Sequence, residues 1–590
     1  MAAQRWCLLR LLPQAGLLPG SVLVLLQCVL AAMVSTRAVA VSALIAVLSR
    51  HHEDRELVVA AVVVGGLLLV DQGAWLGVTV VRPVVVSRID GAVRATVRTL
   101  AAGLPTLDRL EDAHFQDRAS QAVDAGTGVA RNRSPGSAVS GQIELTFRLL
   151  SALAAGCVLA TFAPVLAVAL FGVAIAVRAI VQRQWMAVID VLDADTLGQR
   201  EQYYVSEQAV YGAAKDVRMY GLAAFLGGRF AAISMRVYGP VWRAMARNWR
   251  RQRLAVTLTV LSAAVAMAIP ARAVLAGELE PARLVMYVIA AWGILEIATM
   301  GFEAYDIEYG LRGIRAADEL TAGHRPASAA PTATDPAPRT PEIRFENVFF
   351  TYPGATRPAL NGLSLTMRPG ETVAVVGENG AGKTTFVKLL AGLYRPDSGR
   401  ITIDGAPLAD LDPGTWRREL AVLFQDFVRY PATLRDNVGI GAGPSDDADI
   451  LAALERAGAA DLPAGLDTLL WREGTGGIDL SGGQWQRVAL ARVLRAAASG
   501  RRILVLDEPT AHLDVRAEAD FHDRVVASVR DATKVLISHR LSTVRPAERI
   551  VLLRDGRVAE DGSHDELMTL GGDYARFFTV QAAAFAQEAR

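Results

Sequence analysis

Four stretches in the second half of the chain carry residue types and spacings suited to phosphate chemistry. The first, GENGAGKTT, lies within ETVAVVGENGAGKTTFVKLLAGL and fits the spacing GxxxxGK[ST]. Gly377, Gly380 and Gly382 let the backbone turn, so that N–H groups from Gly377, Glu378, Asn379, Gly380, Ala381 and Gly382 face an anion. Lys383 then reaches the β- and γ-phosphates of a nucleotide, and Thr384, followed by Thr385, places a hydroxyl for Mg2+. The second, RRILVLDEPTAHLD, ends a hydrophobic run in two carboxylates. Asp507 suits Mg2+ coordination, directly or through water, and Glu508 can polarise an attacking water. The third, TKVLISHRL, carries His539. A lone histidine is usually structural, but at the end of a parallel strand, where ligands gather, it is placed to touch a γ-phosphate. The fourth, LSGGQ, is a second glycine-rich run at a helix start: Leu480, Ser481, Gly482, Gly483 and Gln484. Bare N–H groups there bind anions, yet a short serine-glycine run is equally an ordinary loop.

These groups need a scaffold that gathers strand ends. After residue 341 the pattern of buried strand, loop and helix predicts a soluble α/β domain. Up to about residue 302 the chain instead alternates apolar runs with Arg-rich segments. Between the halves, HRPASAAPTATDPAPRTP (324–341) has nothing to bury and reads as a linker. The expected division is 1–320, a linker over 321–341, and 342–590.

Composition agrees with two classes of domain. A chain of 590 residues exceeds one core, and 52% hydrophobic residues with positive mean hydropathy suits a protein that is half membrane. Net charge is +1, so no global basic field points to nucleic acid. Only four lysines occur, Lys215, Lys383, Lys388 and Lys534; this arginine bias, with many alanines, points to a GC-rich bacterial genome. Cys7, Cys28 and Cys157 form no CxxC pair, which argues against a disulfide framework or zinc site and for small buried hydrophobes.

Six apolar spans are expected near 21–48, 57–81, 145–162, 165–182, 254–275 and 283–302. The segments near 82–144 and 183–253 are long and Arg-rich, while the alternate loops are short, which supports a cytosolic N-terminus and a cytosolic second half. Arg5, Arg10 and Ala38-Val39-Ala40 resemble a secretory signal, but the apolar run is too long and continues past the cleavage position. Asp71 in span two and Glu296 in span six each lie about 20 Å from the outer ends at 1.5 Å per residue, with Trp75 and Trp292 one turn away. Two readings compete: the acids line a cavity for cationic or amphipathic cargo, or each pairs with a structural arginine, Arg37 being a candidate.

Taken together, the motifs resemble the ATPase domain of an ATP-binding cassette (ABC) protein, from about Ile343 to Phe578. FFTYPG resembles its aromatic loop, which implies that Tyr352 stacks on adenine. LFQDF resembles its Q-loop, which implies that Gln425 senses Mg2+ and the transport domain. LSGGQ resembles the family signature, and Asp514 ends a D-loop-like AHLD in which His512 is a less usual residue. The resemblance implies that two such domains pair head to tail, Ser481, Gly482, Gly483 and Gln484 of one chain closing on the ATP of the other.

Six spans ahead of one cassette resemble an exporter-type half-transporter. The implied fold is a membrane α-helical domain of six spans followed by an α/β P-loop NTPase domain. The implied cofactors are ATP and Mg2+. The implied partners are a second copy or a sibling half-transporter, the lipid bilayer and a transported substrate, without nucleic acid. Residues 107–122 and 213–221 resemble coupling helices that rest on cassettes. Because Lys383, Gln425, Ser481, Glu508 and His539 are all present, both composite sites of a homodimer are expected to be active. About twenty residues precede span one, so no peptidase domain is expected there. Tyr430 in QDFVRYPATLRDNV resembles exporters of lantibiotic-type peptides. Peptide, drug-like or amphipathic cargo, lipid flipping, import on this fold and an ATP-gated channel all stay open.

Overall fold

The structure, a computed structural model, describes residues 2–49, 54–123, 134–193, 195–208, 213–299, 301, 303–322, 339–443, 446–509, 525–527, 529, 531–538 and 540–588. The chain divides into two units: Met1–Ala102 with His114–Arg325, and Gly103–Ala113 with Pro326–Arg590. Residues 323–338, which hold most of the expected linker, lie outside the described residues.

The first unit is helical. Its long elements are α1 (Leu17–Ser49), α2 (Asp54–Gly103), α3 (Pro135–Ala160), α4 (Pro164–Asp193), α5 (Ala223–Leu275), α6 (Pro281–Leu295) and α7 (Glu303–Ala322). Among the described residues six stretches are long and apolar enough to cross a membrane, α6 and α7 counting as one. The 50-residue α2 spans about 75 Å, far more than the roughly 30 Å hydrocarbon layer, so it runs on well beyond a bilayer. Small residues bring these helices close. A Cβ on Gly310 would meet the Ala138 Cβ at 2.3 Å, so α7 lies against α3 only because that position is bare.

The sixth span departs from the continuous helix expected over 283–302. α6 stops at Leu295, a 3-10 turn covers Glu296–Ala298, and the helix resumes at Glu303. The break is tolerated because its exposed carbonyls are satisfied from neighbouring helices. Arg178 Nη1 donates to the carbonyls of Ile297 and Thr299, both at 3.3 Å, and Arg148 Nη1 reaches the Thr299 carbonyl at 3.4 Å. Arg148 and Arg178 also pair with the buried carboxylate of Glu303, at 2.8 and 3.2 Å respectively.

Two further expectations are resolved in this unit. Arg37 Nη1 sits 2.9 Å from Asp71 Oδ2, so Asp71 has the structural partner. Glu296, Trp75 and Trp292 are exposed. The cysteines are not buried as expected: Cys7, Cys28 and Cys157 are all exposed. In a lipid-facing domain an apolar side chain needs no protein cover, so hydrophobicity there does not predict burial.

The second unit holds two sheets. One is antiparallel, in the order β2-β1-β4-β5, from β1 (Ile343–Phe350), β2 (Leu360–Met367), β4 (Ser398–Ile403) and β5 (Ala406–Pro407). The other runs β10-β9-β3-β8-β7-β6, from β3 (Thr372–Val376), β6 (Leu420–Leu423), β7 (Ile503–Asp507), β8 (Thr533–Ile537), β9 (Arg549–Arg554) and β10 (Arg557–Gly562). All its neighbouring pairs are parallel except β9–β10. β3 and β7 are buried along their whole length, as continuous apolar runs in a covered parallel sheet must be. Helices α8 (Lys383–Leu390) and α9 (Gly482–Ala498) follow the two glycine-rich loops.

Candidate functional site

Parallel pairing brings the carboxyl ends of β3, β6, β7 and β8 to one edge of the sheet, where ligands of α/β folds bind. In register, Asp507 lies opposite Ile537 and Leu423 opposite Leu506. The loop after β3 therefore sits beside the carboxylates after β7 and the segment after β6.

The loop from Gly377 to Gly382 needs its glycines. Gly377 has φ +150°, and a Cβ there would meet the Leu553 carbonyl oxygen at 2.4 Å. Gly382 has φ +103° and opens α8; a Cβ there would meet the Ala359 oxygen at 2.7 Å. Glu378, Asn379 and Gly380 form the exposed tip, and Ala381 is buried beneath it. Lys383 Nζ folds over the loop and donates to the carbonyls of Gly377 at 2.8 Å and Glu378 at 2.9 Å. Burial pulls its pKa below the usual lysine value, against the opposing charges of Glu508 and Asp507.

Thr384 Oγ1 donates to Asp507 Oδ2 at 3.3 Å. Asp507 is buried, and that burial, reinforced by Glu508 and Asp426, pushes its carboxyl up to about 6 despite the Thr384 hydroxyl and Lys383. Glu508 adopts φ +50°. Its N–H donates to the Ile537 carbonyl at 2.8 Å, and its Oε2 accepts from Gln425 Nε2 at 3.0 Å. Tyr352 packs edge-on against Phe350 and Tyr394, and its hydroxyl lies 3.2 Å from Thr385 Oγ1. Thus Tyr352, Lys383, Thr384, Thr385, Gln425, Asp507 and Glu508 are joined in this unit. His539 and Asp514 lie outside the described residues.

Ser481 caps α9 in a reciprocal box: its Oγ accepts from Gln484 N at 3.3 Å, and Gln484 Oε1 accepts from Ser481 N at 2.9 Å. The serine hydroxyl accepts in this bond, which leaves its own proton to donate. Gly482 and Gly483 form the first turn.

Sequence reasoning missed four contacts. Gln486 Nε2 donates to the Glu508 carbonyl at 3.0 Å; a glutamine inside an otherwise buried helix face was the only signal. Tyr394 Oη donates to Glu111 Oε1 at 2.5 Å, and Leu107 N donates to the Leu393 carbonyl at 2.8 Å. Arg417 also reaches the Pro105 carbonyl. The short helix Asp108–Glu111 thus folds with the cassette, whereas His114–Val123, which completes most of the first expected coupling stretch, belongs to the helical unit. The second stretch contains the helix Ala214–Met219, which buries no residue.

Comparison with known proteins agrees with this geometry. A family model described as ABC transporter matches residues 360–511. The mycobactin import ATP-binding/permease protein IrtB of Mycolicibacterium thermoresistibile is 42% identical over 248 residues, 41% of this chain and 42% of that protein. An ATP-dependent lipid A-core flippase of Burkholderia orbicola is 35% identical over 393 residues, 64% of this chain and 63% of that protein. The chain thus matches from about two fifths to somewhat under two thirds of the length of these relatives. A bacterial Atm1-family ABC exporter, solved with ATP bound, has the same fold at a TM-score of 0.71 and 24% identity, covering 95% of this chain and 97% of that one. With the phosphate loop, its facing carboxylates and the signature helix in one α/β unit, and six membrane-length helices earlier in the chain, residues 360–511 form a domain similar to the ABC transporter family, and the chain shares the fold of that exporter.

Proposed function

We propose that two copies of this chain pair in a membrane and couple ATP hydrolysis to movement of an amphipathic molecule across it. The observation that carries this reading is the convergence of Lys383, Thr384, Gln425, Asp507 and Glu508 on one sheet edge, in a chain whose first half has six membrane-length helices. The glycine loop follows a positive-φ backbone path that side chains at Gly377 and Gly382 would block, the kind of loop that turns N–H groups towards a triphosphate. Thr384 and Asp507 offer a hydroxyl and a carboxylate, hard oxygen donors of the kind Mg2+ takes alongside phosphate oxygens and water. Bound there, Mg2+ supplies neutralisation of phosphate charge.

The chain's own residues divide the remaining work. Lys383 brings positive charge to the β- and γ-phosphates. Glu508, aimed by Gln425, polarises the attacking water. Gln425 also reports occupancy towards the transport domain, His539 contacts the γ-phosphate, and Tyr352 holds the adenine. Ser481, Gly482, Gly483 and Gln484 close on the partner's nucleotide, and Asp514 is assigned to the same nucleotide by its D-loop-like run, so that ATP joins the two cassettes and hydrolysis releases them. The cassette lies on the cytoplasmic side of the cell membrane, and a sibling half-transporter is the alternative partner. Relatives named for lipid A-core flipping and for mycobactin import support a lipid-like or amphipathic cargo and leave direction to experiment. Exposed Glu296 and Trp292 are the groups proposed to line its path.

The test is reconstitution in proteoliposomes with lipid, peptide and cationic probes, in wild type and Glu508→Gln. ATP-dependent uphill movement that Glu508→Gln abolishes supports the reading. Movement only down a gradient, gated by ATP but indifferent to Glu508, would replace the pump with a channel.

A further inference from the structure

Gln486 lies about one and a half turns into α9, counted from Ser481. It is buried, and its amide donates to the backbone carbonyl of Glu508 at 3.0 Å. Glu508 holds φ +50°, a left-handed conformation that residues with side chains rarely adopt. Such a conformation persists only where its surroundings fix it. Here the Glu508 N–H is tied to β8 through the Ile537 carbonyl, and its carbonyl is tied to α9 through Gln486. These two bonds set the direction in which the carboxylate leaves the backbone before Gln425 meets it.

The other end of the link is the signature. α9 starts at the Ser481 cap and runs unbroken through Gln486, with Trp485, Val488 and Ala489 buried around it, so Ser481 and Gln486 are held in one continuous helix. A shift of Ser481 therefore reaches the Glu508 carbonyl through a single side chain. We propose that Gln486 is a positioning residue for Glu508: it makes hydrolysis in a chain's own site depend on how that chain's signature helix is seated on the nucleotide held by its partner. This rests on the composite-site reading given above and adds to it the path by which one site senses the other.

The experiment uses the full-length chain in nanodiscs with MgATP, as wild type, Gln486→Met, Gln486→Glu, Glu508→Gln and the double variant Glu508→Gln/Gln486→Met. Methionine keeps the bulk and removes the donor; glutamate keeps the length and replaces the donor with an acceptor. Each Gln486 variant is expected to lower kcat about tenfold, the loss of one positioning hydrogen bond. KM and the affinity for a fluorescent ATP analogue should stay within about twofold, and the Hill coefficient for ATP should fall towards unity. The double variant should turn over no more slowly than Glu508→Gln alone, because the group being positioned is already gone. Wild-type kcat and cooperativity in both Gln486 variants would overturn the proposal. So would kcat, ATP affinity and melting temperature falling together in both, the sign of a packing role. Turnover retained in Glu508→Gln would instead overturn the catalytic reading of Glu508, and the proposal with it.

Discussion

Arg37 Nη1 on α1 lies 2.9 Å from Asp71 Oδ2 on α2, and the Asp71 side chain is only 15% exposed. An acid within a membrane-length apolar helix is thus answered by a cation on the neighbouring helix. Removing one partner leaves the other charge in apolar surroundings, which costs more than the pair itself is worth. Asp71→Ala is expected to destabilise the chain by about 1–3 kcal/mol, and the swap Arg37→Asp/Asp71→Arg should recover part of that loss. Thermal unfolding in nanodiscs measures both. Wild-type melting of the single variant would mean that the contact contributes nothing.

Glu508→Gln keeps size and removes the charge that orients water. ATP binding should be retained, while phosphate release falls by about 10²–10⁴-fold. A nucleotide-trapped dimer should accumulate. Phosphate release at near wild-type rate would remove Glu508 from its assigned role.

Lys383→Ala and Ser481→Ala should each disable a homodimer. Mixed dimers differ if sites form across chains: one site collects both lesions and the other is intact. Subunit exchange between the two inactive proteins should then recover part of the ATPase activity, measured against each protein alone. No recovery at any mixing ratio would mean that Ser481 serves the nucleotide of its own chain.

Tyr394 and Glu111 join the cassette to the segment that leaves α2. Burial, then Glu111, raises the Tyr394 hydroxyl above the usual tyrosine value, so it stays a donor at physiological pH. Tyr394→Phe deletes that bond and keeps the ring. The expected loss of stability is about 1 kcal/mol, with basal ATPase within about twofold and ATP-driven cargo movement reduced far more. Parallel ATPase and transport assays on one preparation decide it; equal losses in both would assign Tyr394 to the nucleotide site instead.

What could be read without coordinates is what is local in the chain. The phosphate loop, the strand ending in Asp507 and Glu508, and the signature run are each set by a few consecutive residues, because a strand-to-helix turn fixes its own glycines and donors. Six apolar spans were equally legible, since crossing a bilayer demands about twenty apolar residues in succession. The interruption after Leu295 was hidden: its carbonyls are satisfied by Arg148 and Arg178, which lie more than a hundred residues away in sequence. The choice between a cavity acid and a paired acid at Asp71 was hidden too, because it turns on which face of α1 carries Arg37 towards α2. The Gln486–Glu508 bond and the docking of Asp108–Glu111 beside Tyr394 arise where separate elements meet. Spacing along a chain encodes the geometry of one turn or one strand; the approach of two elements is set by packing over the whole domain, and that only the tertiary structure decides.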